Sequence, residues 1–336
     1  MTVHLISVGV SMLETMEHPD RKGLAGGLCR AFGDTSPYST LTFGFSTTER
    51  AAASDWAASV LAAPGGPGAA PRPGGQLRDL AAALDLRRWP SRISAEVETF
   101  RAASGKGFPL SRDDIAVLIC SDTPRGLLAG VWNALALTDG DFSRVTYIAE
   151  PGAAIADLRG KAVMVRVAGM DAASRDGFTK AMSGLGMLAC RLLEGGGVTK
   201  DDDFRFYLSG GFKAAIPYLI GMAEAIRSLD ETRLEDFTAA DLRPPGGMFP
   251  VKAFVMHEMT DPPKPIELPL RRLPASAIRQ ELAGYAGKIR IGKPVPPAVL
   301  EGYAYDVARD GKTCTLTPFG EGLRTLFMVS PEGYMG

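Results

Sequence analysis

The chain has 336 residues, 46% of them hydrophobic and 22% charged, with a formal net charge of −1 at pH 7. That is the composition of an ordinary globular protein, long enough for a full α/β domain and a smaller second one. A charge so near zero excludes any general electrostatic pull toward nucleic acid or membrane, so a polyanion would have to be held by a local cluster.

The first strand-like run covers residues 4–8, and a weaker one covers 40–45. Helical patterns follow at 55–62 and 76–86, separated by a Pro/Gly/Ala segment at 63–75 that cannot form regular structure and reads as a surface insertion. Ser94 is placed to cap another helix. Residues 115–120 form an unbroken apolar run, the pattern of a central parallel strand buried on both faces, and lead through Ser121-Asp122-Thr123 into a helix at 126–137. A strand at 145–149 comes next. A strongly apolar helix at 180–193 follows, closed by Gly195-Gly196-Gly197, which reads as a helix stop. The remaining pairs are a strand at 204–208, a helix at 214–226 and a last strand at 252–257. Such alternation predicts a doubly wound, mostly parallel, Rossmann-like α/β sheet over residues 1–262.

Pro262-Pro263-Lys264-Pro265 reads as a stiff linker, and the composition changes after it. Helices are expected at 275–286 and 297–305, then a hairpin at 306–316 turning at Arg309-Asp310-Gly311-Lys312, then a helix from 318 to about 327. Helices followed by a hairpin predict a small winged-helix-like domain over 263–336. Its basic residues (Arg271, Arg272, Arg279, Lys288, Arg290, Lys293) are interrupted by acids, a poor match to a DNA-reading surface.

Two loops carry the chemistry. Leu208-Ser209-Gly210-Gly211-Phe212-Lys213 joins a strand to a helix, leaving backbone N–H groups aimed at one spot with Lys213 adding a positive charge, an arrangement suited to phosphate. Leu5-Ile6-Ser7-Val8-Gly9-Val10-Ser11-Met12 is a strand that breaks at Gly9, with hydroxyls at Ser7 and Ser11. In an open parallel sheet both loops emerge at the carboxyl edge, so Ser11 and Lys213 can face one site. Asp122, Thr123 and Arg125, after the central strand, are expected to line the same pocket, with Asp122 equally readable as a helix N-cap.

Other chemistries find no footing. Cys29, Cys120, Cys190 and Cys314 are scattered without metal-ligand spacing, and Cys120 and Cys190 lie in apolar runs, as buried thiols of a reducing compartment do. The three histidines, His4, His18 and His257, form no ligand cluster, and His4 and His257 read as structural. No apolar run approaches the roughly 20 residues of a membrane span, and the chain opens without a signal pattern, so a cytoplasmic protein is expected.

Several short motifs, in order, resemble the CRISPR-associated Rossmann-fold (CARF) domain, in its ring-nuclease-like branch with a C-terminal winged helix. They are Ser7-Val8-Gly9-Val10-Ser11-Met12-Leu13, Ser94-Ala95-Glu96, Ser121-Asp122-Thr123, Ser209-Gly210-Gly211-Phe212-Lys213 and Leu316-Thr317-Pro318-Phe319-Gly320. Val10 departs from the family's usual threonine, and the 63–75 insertion has no family counterpart.

The resemblance implies a homodimer that binds one cyclic oligoadenylate messenger, such as cyclic tetra-adenylate, across its two-fold axis. It also implies metal-independent cleavage, without a cofactor, by attack of a ribose 2′-OH to give a 2′,3′-cyclic phosphate, which would switch off type III CRISPR signalling. Carried onto this chain, Lys213 would stabilise the transition state, and Ser11 would hold the scissile phosphate or align the 2′-OH. Gly9, Val10, Met12, Ser209, Gly210, Gly211 and Phe212 would contact the ligand. No arginine lies four to six residues before any histidine, which disfavours a messenger-activated ribonuclease of the same family. The alternative is a non-catalytic sensor that regulates transcription through its winged helix.

Overall fold

The computed structural model describes residues 1–13, 46–61, 94–104, 108–156, 158–171, 173–195, 197–198, 202–211, 213–228, 249–256, 264–273, 282, 289–290, 300–309 and 313–328. The strand expected at 40–45, the helix at 76–86, the 63–75 insertion, the helix at 275–286 except Leu282, Phe212, Cys29, His18 and His257 lie outside those residues.

Seven strands form one sheet. In chain order they are β1 (Thr2–Ser7), β2 (Ile115–Ser121), β3 (Val145–Ile148), β4 (Ala162–Val167), β5 (Asp203–Tyr207), β6 (Val251–Met256) and β7 (Pro265–Leu268). The spatial order is β3-β4-β2-β1-β5-β6-β7, with every pairing parallel except the antiparallel β6–β7 edge. β1 therefore lies between β2 and β5, where the winding reverses, and the crevice outside its carboxyl end is where such sheets bind ligands.

Alternation along the strands feeds two cores, since successive side chains point to opposite faces. Val3 and Leu5 of β1, Val117 and Ile119 of β2, and Phe204 and Phe206 of β5 face one core. Ile6, Leu118 and Tyr207 face the other. Every residue from Ile115 to Cys120 is at most 1% exposed, so β2 is buried on both faces as its apolar run predicts. Truncating Leu118 to alanine would cost about 2–5 kcal/mol.

The second core is covered by α1 (Thr47–Leu61), α2 (Ala95–Ala103) and α3 (Pro124–Leu137). The first is covered by α4 (Arg175–Gly195) and α5 (Ile216–Ser228). Helices on both faces of a mostly parallel sheet make the fold a doubly wound, Rossmann-like α/β one.

In the main sheet and the helices that cover it, β4, β7 and α1 differ from the sequence reading. β4 was not expected, although Ala162-Val163-Met164-Val165 carries the same apolar signature as β2. β7 occupies the end of the segment read as a linker, so 252–257 is not the last strand. Its alternation is blurred because it is a short, exposed edge strand opening on Pro265, a position where proline is tolerated. Finally, α1 begins eight residues earlier than the pattern suggested, capped by a reciprocal box: Glu49 accepts from the Ser46 hydroxyl at 2.6 Å, and Ser46 Oγ accepts from the Glu49 amide.

After β7 the chain builds a three-stranded antiparallel sheet, β8 (Ile289–Arg290), β9 (Tyr305–Val307) and β10 (Thr313–Leu316), in the order β8-β10-β9, followed by α6 (Pro318–Met328). The expected hairpin and final helix are both present. Residues 301–304, within the expected 297–305 helix, form a turn entering β9. α6 lies on α4, with Ser183 Oγ 3.1 Å from Thr325 Oγ1 and Phe319, Leu323 and Leu326 joining the first core. Among the described residues no helix is long and apolar enough to cross a membrane.

Candidate functional site

The loops after β1 and β5 meet at the carboxyl edge. Their backbones touch: a Cβ on Gly9 would lie 2.5 Å from the Gly211 amide nitrogen. Gly211 has φ +91°, and a Cβ there would fall 2.0 Å from Ser7 Oγ, so both backbone conformation and space require glycine. The Ser7 hydroxyl, 1% exposed, has no hydrogen-bond partner among the described residues.

Between the loops sits a residue that the sequence reading did not place in the site. Glu96, in the first turn of α2, is 1% exposed and spans both loops with its carboxylate. Oε1 accepts the Gly9 N–H at 2.5 Å, and Oε2 accepts the Ser11 hydroxyl at 3.3 Å. The Ser94 hydroxyl lies 2.7 Å from Oε2 and 2.6 Å from Asn133 Oδ1, while Ser94 Oγ caps α2 by accepting from Val97 N. A Cβ on Gly210 would lie 2.1 Å from Oε1, so the glycine leaves the volume that the carboxylate fills. Among the described residues Glu96 has no cationic partner; neutral N–H and O–H donors alone hold it.

The sequence motif therefore divides by role. Gly9 spends its amide on Glu96 and offers none to a ligand. Val10 is partly exposed, whereas the Met12 side chain is fully buried in the second core. Ser11 stands at the mouth, linked to Glu96 and, at 3.5 Å, to the Ala95 amide. Ser209 is a tie: its Oγ lies 2.6 Å from Thr99 Oγ1 and accepts from the Met256 amide at 2.8 Å, joining β5 to α2 and β6. The amides of Gly210 and Gly211 have no acceptor among the described residues. Lys213 is exposed and opens a short 3-10 turn, Lys213–Ala215, that runs into α5.

Asp122, Thr123 and Arg125 sit on the other flank of β1, beyond β2. Thr123, not Asp122, is the N-cap of α3, accepting from the Gly126 amide at 3.1 Å. Asp122 is 5% exposed and pairs with Arg50 of α1, and it also accepts from the Gly169 amide at 3.3 Å. Arg50 reaches Asp171 as well, at 2.5 Å. Burial pulls the Arg50 guanidinium down, but the hydrogen bond to Asp171 and the charges of both aspartates outweigh it and hold its pKa above the usual arginine value. This cluster clips α1 over the ends of β2 and β4, and Asp122's charge is directed at Arg50. Arg125 lies in the first turn of α3, partly buried.

His4 lies deep in the sheet, with Nδ1 2.8 Å from the Tyr207 hydroxyl and Nε2 3.8 Å from Asp114, and burial pushes the Tyr207 pKa up. Among the described residues no group of three or more His, Cys, Asp or Glu is placed to hold a metal ion.

The two loops thus offer two amides without an acceptor among the described residues and a serine hydroxyl over a buried carboxylate, and the β5 loop leads into the exposed Lys213. That set suits a phosphate ester carrying a nearby hydroxyl. No protein-family model matches the chain, and no curated protein matches it.

Proposed function

We propose that the chain binds a cyclic oligoadenylate across the Gly9–Ser11 and Ser209–Lys213 loops and cleaves it. The observation that carries this reading is the contact of Gly9 with Gly211 at the point where the sheet's winding reverses. That contact sets the loop carrying Ser11 against the loop that leads to Lys213, 202 positions later in the sequence, and this supports a shared site.

In the reaction a ribose 2′-oxygen forms a bond to the adjacent phosphorus, and the P–O5′ bond breaks. The 2′-OH loses its proton and the departing 5′-oxygen gains one. The products are linear, ending in a 2′,3′-cyclic phosphate and a 5′-OH. The Gly210 and Gly211 amides hold phosphate oxygens, and Lys213 stabilises the charge that builds on the phosphorane-like transition state. Most of the acceleration comes from alignment, so turnover is slow. Two copies of the chain supply the two halves of the cradle, since a symmetric ring suits a two-fold axis. The remaining elements of this reading are a CARF domain, a winged-helix C-terminal unit, a cytoplasmic location and the ending of a type III CRISPR signal.

One observation favours the second reading, a sensor acting through the C-terminal unit. α5, which follows the Lys213 turn, carries Glu224, and Glu224 is held by Arg271 and by Tyr303 of that unit. A ligand that moves the turn would push on this junction.

Incubation of the full chain with cyclic tetra- and hexa-adenylate in EDTA, with products resolved by chromatography, tests the proposal. Linear products ending in 2′,3′-cyclic phosphate are expected, and their loss in Lys213→Ala. An intact ring that remains bound would replace the enzyme with the sensor, and a ring that does not bind would overturn both.

A further inference from the structure

We propose that Arg166, Tyr147 and Ser54 form an anion site that takes a phosphate group, on the β4 flank of the sheet and separate from the two loops. It goes beyond the functional reading given above and does not depend on it.

The three residues meet where α1 covers the carboxyl ends of β3 and β4. Tyr147 of β3 lies opposite Met164 of β4, and Arg166 is two positions nearer the carboxyl edge on the same face, opposite Cys120 of β2. Ser54 of α1 is 7% exposed, with Oγ 2.9 Å from the Tyr147 hydroxyl and 3.4 Å from Arg166 Nη1.

Hydrogens outnumber acceptors in this cluster. A guanidinium donates through every nitrogen and accepts through none. Arg166 uses Nη1 alone, at 3.4 Å to Ser54 and 3.6 Å to Glu150 Oε1, both longer than the ~2.7–2.9 Å of a charge-assisted bond. Its Nε is buried without a partner, and Nη2 has none among the described residues. Ser54 and Tyr147 carry one hydrogen each and share a single hydrogen bond. Whichever of them donates, one hydroxyl hydrogen is left without an acceptor among the described residues. Burial raises the Tyr147 pKa by more than the Ser54 hydrogen bond and the Arg166 charge lower it, so the phenol keeps its hydrogen.

Charge points the same way. Among the described residues Arg166 pairs with Glu150 only, and the Glu150 side chain is 69% exposed, so the pair is screened by solvent and readily displaced. Asp122 and Asp171, at the same edge, are both engaged by Arg50. Burial, and after it the charge of Glu96, pushes the Cys120 thiol pKa up, so that neighbour is neutral. The cluster therefore holds a positive charge whose counterion stands at the rim. A phosphate brings more charge than Glu150 and several terminal oxygens, enough for the guanidinium N–H groups and the spare hydroxyl hydrogen together. Bound there, it would join α1 to β3 and β4 one helical turn from the Arg50 clip.

The test is calorimetric titration of inorganic phosphate and of methyl phosphate into the full chain at constant ionic strength. It compares wild type with Arg166→Gln, Tyr147→Phe, Glu150→Gln and Lys213→Ala. Wild type is expected to bind at least one of the two saturably. Tighter binding of methyl phosphate marks an ester as the group taken, and tighter binding of inorganic phosphate marks the free ion. Arg166→Gln should weaken binding about ten-fold or more, and Tyr147→Phe about three-fold. Glu150→Gln removes the competing carboxylate and should tighten binding about two- to three-fold. Wild type that binds neither probe, Arg166→Gln that binds as wild type does, or Glu150→Gln that binds no more tightly than wild type would overturn the site. Binding lost in Lys213→Ala would overturn it as well, and would assign the phosphate to the glycine loop in support of the functional reading. Because the Glu150 side chain is exposed, its variant decides the question even where Arg166→Gln fails to fold.

Discussion

Glu96 and Glu224 are 1% and 2% exposed, yet the chain compensates their buried charges in opposite ways. Glu224, at the junction of α5 with the C-terminal unit, is gripped by a guanidinium: Arg271 donates through Nε at 2.9 Å and Nη2 at 2.8 Å, and its own backbone N–H adds a third bond at 3.0 Å. The Tyr303 hydroxyl completes the set at 3.3 Å, and the Arg271 guanidinium lies over the Tyr303 ring. Glu96, between the two site loops, has among the described residues amide and hydroxyl donors only. A carboxylate paired with arginine is a rivet whose field ends at its partner. One held by neutral donors keeps a field that can act on whatever enters the crevice.

The largest effect that separates the two is expected from Arg271→Ala. It strands Glu224 as an uncompensated buried charge, at a cost of about 2–3 kcal/mol, below the ~3–5 of a fully buried pair because Arg271 is itself exposed to solvent. Denaturant unfolding reads this directly, and a loss under 0.5 kcal/mol would break the comparison. Lys213→Ala should do the reverse. The residue is exposed, so stability should stay within about 0.5 kcal/mol, while ring cleavage should fall about 100-fold or more in a product assay.

Gly210→Ala sharpens the role of Glu96. The added methyl meets the carboxylate, the loop must shift, and a loss of about 1–3 kcal/mol is expected from the overpacking. Ring binding should be lost with it. The smallest stability change belongs to Glu96→Gln, an isosteric change that retains an acceptor for the Gly9 amide and should cost about 1 kcal/mol. A thermal melt as damaged as that of Arg271→Ala would show that Glu96 is a rivet after all.

These two carboxylates also mark where sequence stops informing. The strand at 115–120, the cap at Ser94 and the emergence of both loops at one edge were legible, because each depends on local pattern or on the polarity of a parallel sheet. β4 was equally legible in principle, since its apolar run lies between Gly160-Lys161 and Gly169. Glu96 was not. An acid in the first turn of a helix reads as a partner for the helix dipole. Only the fold shows its carboxylate meeting an amide 87 positions earlier. The pairing of Asp122 was hidden for the same reason: its partner Arg50 is 72 positions away, on a helix whose approach no local pattern records.

Calorimetric titration of cyclic tetra- and hexa-adenylate into the full chain tests the central claim, that the two loops form one ring-binding site. The account predicts saturable binding of one of these rings at one ring per two chains, abolished by Gly210→Ala. Heat unchanged by that substitution, or no binding of either ring, would contradict it.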